Sequence, residues 1–152
     1  MSRTLDALWG LPDPETQPEF YDHVAMKRAF AWMIDAGLIF ALTLMIALLT
    51  FGIGFFVFIP LWLVMDFLYR MISVSNRSAT PGMRLMAIEL RTGRGERFDV
   101  PTAFFHVAGY YITMMTVILQ VLSIAMLFST ARRQSLTDMF LGTAAINRFA
   151  TS

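Results

Sequence analysis

The chain has 152 residues, of which 57% are hydrophobic and 15% charged, and its formal net charge is +1. A soluble domain usually has about a quarter of its residues charged, so this composition, with its long apolar runs, indicates an integral membrane protein. The sequence has no cysteine, which excludes disulfide bonds and thiolate metal sites. The expected partner is the lipid bilayer, and no nucleic-acid partner is expected.

Residues 1–27 form a polar, acidic arm before the first apolar run. Three prolines and five carboxylates fall in this arm, and such a segment lacks the apolar residues needed for a core of its own. We expect a partly disordered tail. The alternative is an apolar foot that rests on the membrane or on a partner protein, made of Leu5, Leu8, Trp9 and Leu11.

Two apolar runs predict two transmembrane helices, over about residues 29–50 and 55–70. An uncharged turn, Gly52-Ile53-Gly54, separates them. Asp66 and Arg70 are four residues apart near the end of the second run. This spacing predicts an ion pair within the helix, at the level of the membrane surface.

The first run contains a carboxylate, Asp35, seven residues after Arg28. A charge inside a membrane-length segment is costly unless it is paired or faces a polar interior. Seven residues are almost two helical turns, so both side chains lie on one face, about 10 Å apart along the axis, and a third group is needed to bridge them. Gly37 and Ala41 form a small-xxx-small pair on the opposite face, where we expect close helix packing.

Residues 72–101 form a polar loop in which short β-structure is expected. Thr80-Pro81-Gly82 predicts a turn, because Pro and Gly occupy the positions that type II turns favour. Residues 83–91 are expected as a strand, with 96–98 as the partner strand of a small cytoplasmic hairpin. We expect residues 143–148 to pair with the first of these strands, which is apolar on both faces and needs further cover.

A third apolar run covers about residues 102–128 and is long enough for one full helix. All twelve Lys and Arg residues lie up to Arg28, between Arg70 and Arg97, or from Arg132 onward. The positive-inside rule then places the N-terminus and the arginine-rich loop in the cytoplasm. A full third span would leave the last arginines outside, so we favour a broken or re-entrant segment.

The predicted fold class is therefore an all-α integral membrane protein. It has two transmembrane helices, a third apolar helical segment that is either broken or a full span, and a small β-hairpin on the cytoplasmic side.

Three motifs in a fixed order carry a family resemblance: Lys27-Arg28-x-x-Ala31-x-x-Ile34-Asp35, Thr80-Pro81-Gly82-Met83-Arg84-Leu85, and Arg133-Gln134-Ser135-Leu136-Thr137-Asp138 with Gly142-Thr143. Over most of its length the chain resembles the RDD family of bacterial membrane proteins, named for one arginine and two aspartates. The resemblance assigns these residues to Arg28, Asp35 and Asp138. Members often have histidine before the second aspartate, where this chain has Thr137. The resemblance implies a membrane domain over residues 28–148, a multi-pass protein of the bacterial inner membrane and an association with transport.

Candidate sites for chemistry are few. Ser135-x-x-Asp138 fits a helix capping box, which gives this aspartate a structural role as an alternative to a functional one. His23 and His106 are isolated, so no metal and no cofactor are expected. No nucleophile with a placed base and no phosphate-binding loop occurs in the sequence, so no enzymatic activity is predicted.

Two functions stay open. A transporter of an ion or small solute would use Arg28, Asp35 and Asp138 as a charge triad, and its few spans would require a homo-oligomer. A non-catalytic membrane adaptor would assemble with another membrane complex, using the same triad to hold its fold and the acidic arm to dock.

Overall fold

The computed structural model describes residues 10–148, which form six α-helices and two short strands. The elements are α1 (Val24–Leu49), α2 (Phe58–Arg77), α3 (Pro81–Leu85), β1 (Ile88–Arg91), α4 (Val100–Met115), α5 (Val117–Ser129), α6 (Leu136–Leu141) and β2 (Ala144–Asn147). Short 3-10 segments lie at Pro18–Phe20 and Ile53–Phe55.

Helices α1 and α2 are long and apolar enough to cross a membrane, as the first two apolar runs predict. The buried face of α1 repeats every four residues: Ala31, Asp35, Ile39, Thr43 and Ala47. The side chains of this face are mostly small, so α2 and α3 can pack closely against it. The packing expected at Gly37 and Ala41 does not occur within residues 10–148, because both are exposed and no neighbouring atom lies within 4 Å of a Cβ placed on Gly37.

The third apolar run is broken, as the distribution of charge predicts. Helices α4 and α5 meet at Thr116, where the backbone is extended, and they are bent by 118°. The Thr113 hydroxyl donates to the carbonyl of Tyr110 at 2.8 Å, a local bond that competes with regular helix geometry. The hydroxyl of Ser123 in α5 accepts a hydrogen bond from the Leu136 amide at 3.1 Å, which ties the returning helix to α6. Neither α4 nor α5 qualifies as a membrane span alone, but the two helices together could form one broken span.

Strands β1 and β2 pair antiparallel, with Ile88 opposite Asn147 and Arg91 opposite Ala144. The expected pairing of the 143–148 segment is thus confirmed. The expected hairpin is wrong, because residues 96–98 form no strand, and Phe98 enters the core with its amide donating to Ser78 Oγ at 3.0 Å.

The expected turn at residues 80–82 is also wrong. Thr80 caps α3, with its hydroxyl accepting from the Met83 amide at 3.2 Å, and Pro81 is the first residue of that helix. Proline is favoured at this first position because its missing N–H has no partner to lose there. The same residues that suit a turn therefore begin a helix, and the strand starts only at Ile88.

The core sits at one end of the helices, around the two strands. It contains Val24, Val74, Ile88, Leu90, Phe98, Ala103 and Ala145. Part of the N-terminal arm closes this end, because Leu11 and Tyr21 pack against Ala144 and Ile146. Burial raises the pKa of Tyr21 to about 12, and its hydroxyl donates to the carbonyl of Pro12 at 2.7 Å.

The expectation of a partly disordered arm is therefore wrong for residues 10–23. Three residues of the proposed apolar foot, Leu5, Leu8 and Trp9, lie outside the described residues. Leu11, the fourth, is buried against the sheet.

Candidate functional site

Asp138 is fully buried in the first turn of α6. The capping box expected from Ser135-x-x-Asp138 is present. The Asp138 amide donates to Ser135 Oγ at 3.3 Å, and the Ser135 amide donates to Asp138 Oδ2 at 3.1 Å. This reciprocal pair begins the helix and fixes the direction of the carboxylate.

Three side chains from other parts of the chain complete the surroundings of Asp138. Arg28 in α1 donates from Nη1 to Oδ2 at 2.5 Å, and Thr143 donates its hydroxyl to Oδ1 at 2.9 Å. His106 in α4 places Nε2 3.1 Å from Oδ1, so the imidazole tautomer that hydrogen bonds here has its hydrogen on Nε2. The set formed by Arg28, His106 and Asp138 is named here the charged centre.

The charged centre favours an ionised carboxylate. Burial alone would raise the pKa of Asp138, but the positive charge of Arg28 and the hydrogen bond from His106 outweigh burial. The pKa of Asp138 therefore lies well below its usual range. Since the Arg28 side chain is only 11% exposed, this is a buried ion pair with additional hydrogen bonds.

Helix α4 reaches the charged centre because Gly109 lets it approach α6 closely. A Cβ on Gly109 would lie 2.5 Å from Thr137 Cγ2, which is closer than any real contact. The side chain of Phe98 meets the His106 ring edge-on, with the ring centroids 5.4 Å apart. The close approach of α4 and the packing of Phe98 thus hold the imidazole in place against Asp138.

Asp35 is also buried, but all three of its hydrogen-bond donors are neutral. Tyr69 Oη and the Gly82 amide donate to Oδ1 at 2.7 and 2.8 Å, and Thr80 Oγ1 donates to Oδ2 at 2.5 Å. Glycine is required at position 82, because a Cβ there would lie 2.3 Å from the Ala31 carbonyl oxygen and 2.7 Å from Asp35 Oδ1. This set, Asp35 with Tyr69, Thr80 and Gly82, is named here the neutral centre, and it docks α3 onto α1.

The structure therefore divides the charge triad that the sequence suggests. Arg28 and Asp138 come together, whereas Asp35 is bound by residues 69–82 instead of by Arg28. The Thr80-Pro81-Gly82 motif, expected only as a turn, supplies two of the three donors to Asp35.

A third group of polar residues joins α1, α2 and α4. Arg70 Nε donates to Asp66 Oδ1 at 3.0 Å, and Tyr111 donates its hydroxyl to the other oxygen of Asp66. The Arg70 guanidinium also lies 4.3 Å from the centroid of the Tyr110 ring, whose hydroxyl accepts from Trp32 Nε1 at 2.8 Å. The ion pair expected within the helix is thus present in α2, and its side chains are mostly buried.

A cavity of about 530 Å³ lies between α1, α2, α4 and α5. Arg28 and His106 of the charged centre, Thr80 of the neutral centre and Arg70 of the third group all line it. Most of the remaining wall is apolar, formed by residues such as Met33, Leu127 and Phe128. The charged centre, the neutral centre and the third polar group therefore all contribute side chains to the wall of the same cavity.

Reasoning from the sequence missed His106, Tyr69 and Thr143, and a helical pattern could have found the first two. His106, Gly109, Tyr110 and Thr113 follow the i, i+3, i+4, i+7 spacing of one helix face, as do Asp66, Tyr69, Arg70 and Ser73. Small and polar residues at this spacing in an apolar helix indicate a buried face. Thr143 follows no helical pattern, but it belongs to the Gly142-Thr143 part of the third motif.

Comparison with known proteins identifies the family of the chain. A family model described as the RDD family matches residues 24–142 and so includes Arg28, Asp35 and Asp138. Comparison with curated proteins and with solved structures gave no match. Because the family model covers most of the chain, the chain belongs to the RDD family.

Proposed function

We propose that this RDD-family chain is a multi-pass membrane protein that moves a small solute and couples this movement to protons. The observation that supports the proposal is the cavity of about 530 Å³, because it brings Arg28 and His106 of the charged centre to a mostly apolar compartment. Small-molecule sites typically combine an apolar wall with a few placed polar groups. A small organic solute therefore suits this cavity better than a bare ion.

The charged centre has the chemistry needed for proton coupling. The imidazole ring of histidine can take up and release a proton, which makes it a common proton carrier. A proton added to His106 would face one carboxylate, Asp138, and one cation, Arg28, across α4, α6 and α1. Protonation would change the balance of charge at the edge of the cavity. The neutral centre, with Asp35, serves in this proposal as a structural connection.

The proposed setting is the bacterial inner membrane, with α1 and α2 as spans and the N-terminus in the cytoplasm. The broken α4–α5 pair then returns the C-terminal strand to the same side, so every cation lies on the cytoplasmic side or within the protein near that interface. A tag at Ser152 should be accessible from the same side as a tag at the N-terminus. External exposure of the C-terminal tag would require three full crossings and would contradict this arrangement.

The transport proposal also involves assembly. Two full spans and one broken pair are too few to enclose a typical transport pathway, so we propose a homo-oligomer or a complex with another membrane protein. We expect the purified protein to form a symmetric oligomer with a polar path along its centre.

The function is tested by proton movement in proteoliposomes. Liposomes loaded with the pH-sensitive dye pyranine receive a valinomycin-driven potassium diffusion potential, inside negative, with a panel of small carboxylates, amines and amino acids outside. Wild-type protein should give proton entry that depends on one solute class. His106→Gln should abolish that entry, because glutamine can keep the hydrogen bond to Asp138 but does not titrate.

His23→Gln is the matched control. His23 precedes α1, its side chain is 75% exposed, and it takes no part in the charged centre. This variant should transport as wild type does. Equal proton entry through His106→Gln and wild type, or wild-type entry no greater than in empty liposomes, would reject the proposal.

The adaptor alternative uses the acidic N-terminal arm as the docking element. Within the described part of the arm, Leu11 and Tyr21 instead pack on β2, which favours transport over this alternative. Isolation of a stable complex with another membrane protein, together with absence of proton entry, would favour the adaptor.

A further inference from the structure

A second cavity, of about 260 Å³, lies apart from the charged centre and carries a strong positive charge. It is formed by the C-terminal end of α2, by α3, by Glu89 of β1, and by Arg97 and Arg148 outside the strands. Its lining residues are Asn76, Arg77, Ala79, Arg84, Glu89, Arg97 and Arg148. Four arginines thus face one carboxylate, and this pocket is named here the arginine pocket.

Glu89 organises the arginine pocket but does not neutralise it. Its side chain is only 4% exposed, and its Oε2 lies 3.9 Å from Arg97 Nη2 and 4.0 Å from Arg148 Nε. These separations are attractive but too long for hydrogen bonds. The other oxygen, Oε1, already accepts from Arg91, 3.0 Å from its Nε. One negative charge is therefore shared among several guanidinium groups.

Two further arginines of the pocket have no acceptor within residues 10–148. The guanidinium groups of Arg77 and Arg84 make neither a hydrogen bond nor an ion pair with any residue in that range, and both side chains belong to exposed residues. Gathering like charges in one small space is unfavourable unless an anion joins them. Counted over residues 10–148, the pocket thus has donors at Arg77 and Arg84 that those residues do not satisfy.

The chemistry of the arginine pocket selects the kind of anion. Guanidinium groups bind phosphate through paired, charge-assisted hydrogen bonds, and several of them suit a group with more than one anionic oxygen. The volume is below the range of about 300–1,000 Å³ that is usual for drug-sized ligands, so it suits a phosphate group with little attached to it inside the pocket. The pocket also lies where α2 ends, the level at which phospholipid headgroups meet a spanning helix.

We propose that the arginine pocket binds a phosphate group, carried either by the headgroup of an anionic phospholipid or by a soluble phosphate compound. Arg77 and Arg84 supply the unpaired donors, and Glu89 holds Arg97 and Arg148 at the opposite wall. This site is independent of solute movement at the charged centre.

Binding is measured on the full chain in a neutral maltoside detergent. The probes are inorganic phosphate, dihexanoyl phosphatidylglycerol and dihexanoyl phosphatidylcholine, at an ionic strength kept constant with chloride. Thermal melting followed by tryptophan fluorescence reports saturable binding, and native mass spectrometry counts bound lipid independently of stability. A saturable effect of phosphate or phosphatidylglycerol, stronger than that of the net-neutral phosphatidylcholine, is expected.

The two anionic probes distinguish the sources of the phosphate group. Saturation by phosphatidylglycerol without competition from inorganic phosphate identifies a lipid headgroup. Saturation by inorganic phosphate, with competition between the two probes, identifies a soluble compound. Absence of saturation by both probes overturns the proposal.

Substitutions locate the binding. Arg77→Gln and Arg84→Gln should each weaken it about tenfold or more, because each removes a charge-assisted hydrogen bond. Arg94→Gln makes the same change of charge at an exposed arginine outside the pocket and should bind as wild type does. Equal weakening in all three variants would mean non-specific attraction to a basic surface, and it would overturn the proposal.

Discussion

Two buried aspartates in this chain are stabilised in chemically different ways. Asp138 accepts hydrogen bonds from a guanidinium, an imidazole, a hydroxyl and an amide, so two of its partners are cations or can become cations. Asp35 accepts from two hydroxyls and one backbone amide, all neutral. Both carboxylates are almost inaccessible to solvent, with at most 1% exposure.

The charged centre contains partners that carry a charge or can take one up, whereas the donors to Asp35 in the neutral centre are uncharged. In the charged centre, the protonation of an imidazole or the loss of a guanidinium changes the electrostatic balance around Asp138 directly. In the neutral centre, fixed dipoles orient one helix on another, and no neighbouring group changes charge in the usual range of pH. The two aspartates therefore differ in the consequences that follow when each is altered.

The largest effect is expected for Arg28→Ala. The substitution leaves the Asp138 carboxylate buried without its main cation, and breaking a buried ion pair in this way costs about 3–5 kcal/mol. The free energy of unfolding of the purified protein in detergent should fall by this amount. Arg94→Ala, at an exposed position, should change it by less than about 0.5 kcal/mol. Similar values for the two variants would mean that Arg28 does not stabilise Asp138.

A smaller loss of stability is expected for Asp35→Asn. The amide oxygen can still accept from Tyr69 and Gly82, but the NH₂ group replaces the acceptor that faces Thr80. One poorly satisfied buried group costs about 1–3 kcal/mol, measured again as free energy of unfolding. Asp22→Asn, whose side chain is 67% exposed, is the matched control and should be nearly neutral. A loss larger than that of Arg28→Ala would reverse the comparison between the two centres.

The response of the melting temperature to acid should test the charged centre directly. Because the folded-state pKa of Asp138 is lowered, its stabilisation is complete above the unfolded-chain value near 4 and is lost as pH falls through the folded-state value. Between about pH 5 and pH 3, the melting temperature of wild type should therefore fall more steeply than that of Asp138→Asn. Parallel curves for the two proteins would show that the ionised form of Asp138 is not favoured by folding.

The smallest expected effect is the coupling free energy between substitutions in the two centres. Arg28 and Asp35 have separate partners, so the free energies lost by Arg28→Ala and Asp35→Asn should add within about 0.5 kcal/mol in the double variant. The sequence alone suggests the opposite, because the two residues share a helix face. A coupling free energy above about 1 kcal/mol would mean that a bridging group connects them after all.

Local features of the fold could be predicted from the sequence. Apolar length marks α1 and α2, the arginine distribution indicates a break somewhere in the third apolar run, and Ser135-x-x-Asp138 marks the start of α6. Each of these features is determined by residues that are close together in the sequence or by their contact with membrane and water. The pairing of β2 with β1 was also accessible, because β1 is buried over most of its length and needs cover.

The partners of the buried aspartates were harder to predict. Asp35 is bound by Thr80 and Gly82, and their motif fits a turn and a helix start equally well without knowledge of what it faces. His106 reaches Asp138 only because α4 bends back and Gly109 permits a close approach. Such contacts depend on the angle between helices, and spacing along the chain does not determine that angle.

Because β1 pairs with β2, part of the fold can form only late in translation. β2 follows α4, α5 and α6 in the chain, and Asn147 within it donates to the carbonyls of Glu19 and Asp22 and accepts from Lys27. Translation must reach Asn147 before the sheet, the N-terminal segment and α1 can be joined. Until then β1 is an unpaired strand edge, which is a hazard for aggregation and a target for quality control. Synthesis of β2 is thus the step that allows the fold to close.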